Sequence, residues 1–255
     1  MEPSVHIKLQ ELNLRNLLRT GAFQFIDSDT PWFPYTSGQI GPYYVQSTTV
    51  EKEGETYATA IQSMVAIIQS GIAPFDAISG GETRDWDFSN PVAIALRKPH
   101  IKLYKSGKTL GASIANKKIL HIADLNNEGS SIRDHWKPAI EKQNGQLTGV
   151  LSFVDRMEDG FTFLKGLGLP VMSVVPLDAC AWDLALQDGY VSLPLHDALL
   201  ERLKDRRAWA VRSLLDNPDH FKAIYQDPDK RDAALKIIQT YPEIKEDLHR
   251  IIEES

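Results

Sequence analysis

Apolar residues recur at helical spacing between Tyr57 and Gly71. The apolar positions stand at i, i+3, i+4 and i+7 and are Ile61, Met64, Val65 and Ile68. This spacing predicts a helix with one buried face, and Gly71 suits the left-handed position that often ends a helix.

Short apolar runs follow this helix and are typical of buried strands. They are FDAISGG (75–81), PHIKLYK (99–105), KKILHIAD (117–124), LTGVLSFVD (147–155) and LPVMSVVPL (169–177). After the third run, Ile132, Trp136 and Ile140 share a helical face. Ser130 or Ser131 can cap this helix, and Pro138 must kink it or disturb its first turns. Strands that alternate with helices imply a parallel sheet covered on both faces.

The pattern changes after about Leu193, where strand-like runs stop. Asn217-Pro218, Asp227-Pro228 and Tyr241-Pro242 divide the remaining chain into short amphipathic segments, which predict helices. We therefore expect two domains, an α/β domain over residues 1–192 and a helical C-terminal extension over residues 193–255.

Composition narrows the class of protein. The 255 residues are 42% hydrophobic and 24% charged, which is ordinary for a soluble globular protein. Cys180 is the only cysteine, so an internal disulfide is excluded and a reducing cytoplasm is the expected location. No apolar run has the length of a signal-peptide core or a membrane span. The net charge of −6 argues against a general nucleic-acid binder. From this charge and from the lack of a long apolar run, we expect neither nucleic acid nor membrane as a partner.

The turn ADLNNEGSS (123–131) follows a predicted strand and precedes a predicted helix. Unpaired N–H groups at a helix start bind phosphate, and Gly129 permits close approach of the backbone. Ser130 and Ser131 add hydroxyl donors, and Asp124 at the strand end can bind sugar hydroxyls. An ordinary capped turn is the alternative interpretation.

A basic stretch lies beside this turn, because the chain between residues 97 and 118 has no acid. Its basic residues are Arg97, Lys98, Lys102, Lys105, Lys108, Lys117 and Lys118. Such a stretch can focus the electrostatic field on a polyanionic ligand. A solvated basic face is the alternative.

Two more turns are candidates for ligand contacts. In YTSGQIGPYYVQ (35–46), the adjacent Tyr43 and Tyr44 can flank a flat ring, although core packing is the commoner role. In SGGETRDWD (79–87), Arg84 can grip a diphosphate in bidentate fashion, and the alternative is an ion pair with Asp85 or Asp87.

Taken in chain order, these segments resemble the type I phosphoribosyltransferases, and within them the orotate phosphoribosyltransferases. The matching segments are TGAFQFIDSDTPWFPYTSGQIGPYYVQ (20–46), GGETRDW (80–86), LYKSGK (103–108), ILHIADLNNEGSS (119–131) and VLSFVDRMEDG (150–160). The resemblance covers roughly Leu14 to Val175. It implies the parallel-sheet fold of that family, and commonly a homodimer.

The resemblance also implies a role for each candidate residue. The base and its carboxylate would be contacted by Tyr43, Tyr44 and Arg156. The diphosphate would be held by Thr83, Arg84, Lys105 and Lys108, and the ribose by Asp124. The 5′-phosphate would lie on Asn126, Asn127, Glu128, Gly129, Ser130 and Ser131. Lys105, Lys108 and Asp124 would be the catalytic residues.

The implied reaction is pyrimidine nucleotide formation. A pyrimidine base displaces pyrophosphate from phosphoribosyl diphosphate, and Mg²⁺ bound mainly through the diphosphate assists. No metal-ligating residue of the chain is implied. The expected partners are therefore phosphoribosyl diphosphate and a pyrimidine base or nucleotide.

Departures from the family pattern fall on chemical positions. Ala123 stands where the family has the first of two adjacent acids, Thr36 replaces a lysine, and Glu128 replaces a threonine. The segment TLGASIANK (109–117) is shorter than the family's mobile loop. The sequence is therefore compatible with three functions. The protein is an active enzyme, an impaired family member that binds a nucleotide or phosphosugar as a regulator, or a scaffold that assembles through its C-terminal helices.

Overall fold

The structure is a computed structural model that describes the backbone of residues 3–253 and the side chains of residues 5–253. Its strands in chain order are β1 (Phe23–Phe25), β2 (Phe33–Pro34), β3 (Ile40–Gly41), β4 (Tyr43–Val45), β5 (Ala77–Gly81), β6 (His100–Leu103), β7 (Thr109–Gly111), β8 (Lys118–Asn126), β9 (Gln146–Asp155) and β10 (Val171–Pro176). Its α-helices are α1 (Pro3–Arg19), α2 (Gly54–Gln69), α3 (Asp85–Ala95), α4 (Lys137–Glu141), α5 (Asp159–Gly166), α6 (Ala179–Gln187), α7 (Leu193–Lys204), α8 (Arg206–Asp216), α9 (Pro218–Gln226), α10 (Arg231–Thr240) and α11 (Lys245–Glu253).

The first compact unit contains the chain up to Ala22 and Gln46–Leu184. Its six-stranded sheet has the order β10-β9-β8-β5-β6-β7. The first five strands of this order pair in parallel, and β7 pairs antiparallel with β6 at the edge. The parallel sheet and its five predicted strands are confirmed.

Helices cover both faces of this sheet. On one face, Trp136 and Ile140 pack with Val150 of β9 in a buried core. Phe153, three residues further along β9, points to the opposite face. There its ring stacks on Phe88 of α3 with 4.9 Å between centroids. The two faces account for the nearly continuous apolar sequence of the central strands.

The chain after the predicted phosphate turn begins as a π-helical turn, Ile132–Trp136, and continues as α4. Pro138 lies in the first turn of α4, and the residues just before this helix are π-helical, so the predicted disturbance of the first turns is confirmed. The capping prediction is wrong for Ser131, because within residues 3–253 its side chain makes no capping hydrogen bond. Ile132, Trp136 and Ile140 are buried together as the periodicity predicted.

The segment 109–117 differs from the predicted short loop. It begins as edge strand β7, and the tight turn between β6 and β7 is closed by a hydrogen bond of 3.0 Å from Tyr104 N to Lys108 O. Ile114 then anchors the segment in the core, with 1% of its surface exposed. A β-hairpin therefore stands where the family resemblance implied a mobile loop.

The second compact unit contains Phe23–Val45 and the chain from Ala185 onward. Helices α7 to α11 confirm the predicted helical segments and their proline boundaries. The units do not follow the expected division at residues 192 and 193, since Phe23–Val45 groups with the C-terminal helices. The physical reason is that Trp32 and Ile40 are buried in the same core as Trp209, Phe221 and Ile237. Among the described helices, none is both long and apolar enough to cross a membrane.

Candidate functional site

A cavity of about 200 Å³ opens in the first unit at the carboxyl ends of β5 and β8. Ligands of parallel α/β sheets bind at this end of the strands. The lining residues are Glu82, Thr83, Arg84, Asp85, Lys105, His121, Ala123, Asp124, Leu125, Asn126, Asn127, Glu128, Gly129, Ser130, Ser131, Ile132 and Trp136. The cavity thus collects most of the residues to which the resemblance assigned diphosphate, ribose and phosphate contacts.

The turn after β8 is held from beneath. Asn126 Nδ2 donates to Asp155 Oδ2 at 2.8 Å, and Gly160 N donates to Asn127 O at 3.0 Å. Gly129 has φ +66°, a backbone conformation that residues with side chains rarely adopt. A Cβ at this position would lie 3.3 Å from the Cα of Gly160 in α5. The turn therefore has a defined backbone shape before any ligand binds.

Three side-chain oxygens in this turn are buried without a hydrogen-bond partner among the described residues. They are Asn126 Oδ1, Asn127 Oδ1 and Glu128 Oε1. A buried acceptor without a donor is unfavourable. Glu128 also adds a negative charge to the place where backbone N–H groups would hold an anion.

Asp124 lies at the end of β8 with 7% of its surface exposed. Its Oδ2 accepts a hydrogen bond from Ser47 Oγ at 2.7 Å and lies 3.7 Å from Arg84 Nε. Burial, followed by the charge of Asp85, raises the pKa of Asp124 to about 7, although Ser47 and Arg84 act in the opposite direction. Near neutral pH this carboxyl can therefore exist in both protonation states.

The turn after β5 exposes Thr83 and Arg84 at the cavity. The predicted alternative, an ion pair of Arg84 with Asp85 or Asp87, is not the pair that the structure places there, because Arg84 lies against Asp124. Gly81 is required for close packing, since a Cβ there would overlap the indole of Trp136.

Of the seven basic residues in the stretch 97–118, Lys105 lines this cavity. Its backbone N donates to Glu82 Oε1 at 2.7 Å, which ties the β6–β7 hairpin to the turn after β5. Lys108 lies 5.4 Å from the centroid of the Tyr104 ring and is not among the lining residues. Of the two lysines that the resemblance grouped together, only Lys105 is among the described residues that line the cavity.

Arg156 is buried at the end of β9, with 5% of its surface exposed. Its Nη2 lies 3.1 Å from Oε1 of Glu158, which is also buried. The guanidinium therefore already has a carboxylate partner in the protein, and Arg156 is not among the residues that line the cavity.

Tyr43 and Tyr44 belong to the second unit, on β4. Successive residues of a strand point to opposite faces, and here Tyr43 is 3% exposed and Tyr44 46% exposed. The expectation that both rings flank one base does not fit this alternation. Tyr43 instead packs in the interior, with its ring centroid 6.1 Å from that of Phe23.

Several cavity residues were not identified from the sequence. Asp85, His121 and Trp136 belong to this group, and Ser47, which does not line the cavity, donates a hydrogen bond from its hydroxyl to Asp124. Asp85 has a recognisable signal, because an acid in the first turn of a helix is favoured by the helix dipole. Ser47, His121 and Trp136 come from a short helical turn, a strand and a π-helical turn, and no local pattern connects them.

Within residues 3–253, no group of three His, Cys, Asp or Glu side chains is arranged to hold a metal ion. Mg²⁺ commonly binds through substrate phosphates and keeps several waters, so it does not require such a group. The cavity is compatible with that mode of binding, in which Thr83, Arg84 and Lys105 would hold the diphosphate that carries the ion.

Comparison with known proteins extends this picture. The orotate phosphoribosyltransferase of Sulfolobus acidocaldarius is 30% identical over 148 residues, which is 56% of this chain and 74% of the relative. The adenine phosphoribosyltransferase of Acetivibrio thermocellus is 26% identical over 159 residues, which is 54% of this chain and 86% of that protein. No protein-family model matches the sequence.

Solved structures agree at the level of the fold. The orotate phosphoribosyltransferase of Francisella tularensis superposes with a TM-score of 0.61 at 18% identity, over 76% of this chain and 96% of that one. The UMP synthase of Leishmania donovani gives a TM-score of 0.65 at 16% identity, over 74% of this chain and 41% of that longer one. The Sulfolobus relative is 30% identical and is matched over 74% of its own length, and the solved structures share the fold. The chain therefore belongs to the type I phosphoribosyltransferase family.

Proposed function

We propose that this protein transfers the 5-phosphoribosyl group from phosphoribosyl diphosphate to a pyrimidine base of the orotate type, with release of pyrophosphate. The observation that carries the proposal is the single cavity at the ends of β5 and β8. It brings together Arg84, Lys105, Asp124 and the turn 126–131. In the proposed complex these residues would contact the diphosphate, the ribose and the 5′-phosphate of one ligand.

The transition state of the proposed transfer reaction carries two developing charges that the site must stabilise. Positive charge develops on the sugar and negative charge on the leaving diphosphate as the bond to the anomeric carbon breaks. Arg84 and Lys105 would stabilise the leaving group, and Asp124 would bind the ribose hydroxyls. Mg²⁺ bound to the diphosphate would neutralise further negative charge.

The base is the finer part of the proposal. Orotate is favoured by the relatives named for it, whereas the Acetivibrio relative is named for adenine. Arg156 gives little independent support for an acidic base, because Glu158 already neutralises it. We therefore include adenine and uracil as competing bases in the test.

The test is calorimetric titration of the purified protein with phosphoribosyl diphosphate and Mg²⁺, followed by orotate, uracil or adenine and an assay of pyrophosphate. We expect binding and orotate-dependent release. Lys105→Ala should lower turnover at least tenfold. Lys98→Ala is the matched control, since Lys98 Nζ donates to Phe75 O at 2.8 Å and Lys98 is not among the cavity residues. Pyrophosphate release with none of the bases would overturn the proposed activity.

Two residues favour a second function. Glu128 has a buried carboxylate oxygen that would repel an anionic ligand, and Ala123 lacks the carboxylate that the family has at this position. These features suit an impaired family member that binds a nucleotide or phosphosugar and regulates a partner. Binding of phosphoribosyl diphosphate or uridine monophosphate without turnover would favour this function. Turnover at rates of 1 per second or above, in the range of ordinary enzymes, would exclude it.

Because members of the family are commonly homodimers, we also propose that this protein forms a homodimer. Light scattering at several protein concentrations tests it, and a mass of about 28.6 kDa at all concentrations would contradict it.

A further inference from the structure

A second carboxylate stands beside Asp124, although the adjacent position on β8 is Ala123. It belongs to Asp85, the first residue of α3. Asp85 Oδ1 accepts a hydrogen bond from Asp124 N at 2.9 Å, and Asp85 Oδ2 accepts one from Gly81 N at 2.9 Å. The carboxylate is thereby fixed at the ends of both β5 and β8.

The Asp85 carboxylate is also close enough to Asp124 that its charge raises the pKa of the Asp124 carboxyl. Both line the same cavity, and 13% and 10% of their side-chain surfaces are exposed. Each carboxylate oxygen of Asp85 accepts one backbone bond and keeps a second lone pair, so the group still has acceptor capacity for a ligand.

The Asp85 carboxylate lies on the same side of β8 as the side chain of residue 123. Alternate residues of a strand share a face, so His121 and Ala123 project to the same side of β8. His121 Nε2 lies 3.5 Å from Asp85 Oδ2, which places the Asp85 carboxylate on that side. An acid at position 123 would therefore project toward the space where the Asp85 carboxylate already lies.

A buried support holds Asp85 there. Ser79 Oγ lies 3.0 Å from His121 Nδ1, and both side chains are fully buried. Gly80 permits the approach of α3, because a Cβ there would overlap Ser89 Oγ. Residues of β5, β8 and α3 thus combine to fix one acid, as expected for a group with a ligand to position.

We propose that Asp85 supplies the second carboxylate of the sugar-binding pair, in the place that an acid at position 123 would fill. This inference rests on the proposed function, because the sugar is that of phosphoribosyl diphosphate. It explains how the chain can lack one of two adjacent acids and keep two carboxylates in the site.

The decisive variant is Ala123→Asp, because two hypotheses give opposite signs. If Asp85 already fills the place, a third carboxylate crowds the site and repels the anionic ligand, and the affinity for phosphoribosyl diphosphate with Mg²⁺ should fall about tenfold. If the place is vacant, the added acid should raise the affinity. Calorimetry on the full chain measures this directly, and an affinity equal to or above that of the wild type would overturn the inference.

The companion variants are Asp85→Asn and the double variant Asp85→Asn with Ala123→Asp. Asp85→Asn should weaken binding at least tenfold, the size expected for a hydrogen bond to a charged group. The double variant should bind within about threefold of the wild type, because position 123 of β8 then supplies the acid that α3 has lost. Asp87→Asn is the control, since Asp87 is an exposed acid of the same helical turn and does not line the cavity.

A double variant that binds no better than Asp85→Asn, with both folded by thermal unfolding, would overturn the inference. Failure of the proposed function is distinguishable. Binding without pyrophosphate release for any base would end the transferase proposal, and the sign of the Ala123→Asp effect would still decide the role of Asp85. A wild-type protein that does not bind phosphoribosyl diphosphate would overturn both.

Discussion

Glu128 is the residue at which the sequence and the chemistry of the family conflict most directly. It lies in the phosphate turn, is half-buried, and within the described part of the chain its Oε1 has no hydrogen-bond partner. The carboxylate therefore costs free energy without a ligand and opposes an anion when one binds.

The variant Glu128→Gln tests this conflict, because it removes the charge and keeps the shape. We expect phosphoribosyl diphosphate to bind at least tenfold more tightly, which corresponds to about 1.4 kcal/mol. The gain should shrink at high salt, since a screened carboxylate repels less. Calorimetry at two salt concentrations measures it, and unchanged or weaker binding would show that Glu128 contacts the ligand favourably.

Asp124 links the site to stability. Its pKa is about 7 in the folded protein, above its ordinary value of 3.8. The folded state therefore binds more protons than the unfolded state between about pH 4 and pH 7, and this group's contribution to stability falls as the pH rises through that range.

Asp124→Asn should remove this dependence, and its amide oxygen can still accept from Ser47. Relative to the wild type, the variant should gain stability from pH 4 to pH 7, by on the order of a few kcal/mol, and the difference should stay constant above pH 7. Urea unfolding of both proteins at pH 4.5, 6 and 8 checks the sign. Parallel stability curves across this range would contradict the raised pKa.

At the scale of elements, the site depends on how closely α3 and the π-helical turn approach the end of β5. Gly80 and Gly81 allow that approach, because any side chain there would meet Ser89 or Trp136. The sequence predicted a glycine turn after this strand, but it could not show which distant side chains require the glycines.

Gly81→Ala should therefore force Trp136 to move. We expect a loss of about 1–3 kcal/mol in the free energy of unfolding, together with weaker binding of phosphoribosyl diphosphate. The matched control is Gly166→Ala at the end of α5, where nothing lies within 4 Å of the added Cβ, and it should be neutral or slightly stabilising. Equal effects of the two substitutions would contradict the packing argument.

At the scale of the whole molecule, the C-terminal helices are more than an extension. Their core includes Trp32 and Ile40 from the N-terminal segment, so the second unit is built from two separate parts of the chain. A domain boundary read along the sequence misses this arrangement, because burial follows proximity in space.

A chain truncated after residue 192 tests this arrangement. Trp32 and Ile40, both buried in the full protein, would lose the helices that cover them. We expect the truncated chain to aggregate or to unfold at lower urea concentration, as followed by tryptophan fluorescence. A soluble truncated chain with an unfolding transition like that of the full protein would favour the simple two-domain division predicted from the sequence.

Helical periodicity and short apolar runs predicted five strands of the main sheet, helix α2 and the C-terminal helices from the sequence alone, because burial of one face requires a repeating pattern along a helix or strand. The order of the motifs along the chain also identified the family, and the phosphate role of the turn 126–131 stays a prediction. The cytoplasmic location and the homodimer stay predictions.

Only the tertiary structure decided which side chains complete the site. Asp85 reaches Asp124 across 39 positions of sequence, and Ser47 reaches it across 77. Arg156 forms an ion pair with Glu158, and the side chains of Tyr43 and Tyr44 lie on opposite faces of β4. These outcomes depend on which strands are neighbours in the sheet and on which distant residues pack together, and local sequence does not specify either.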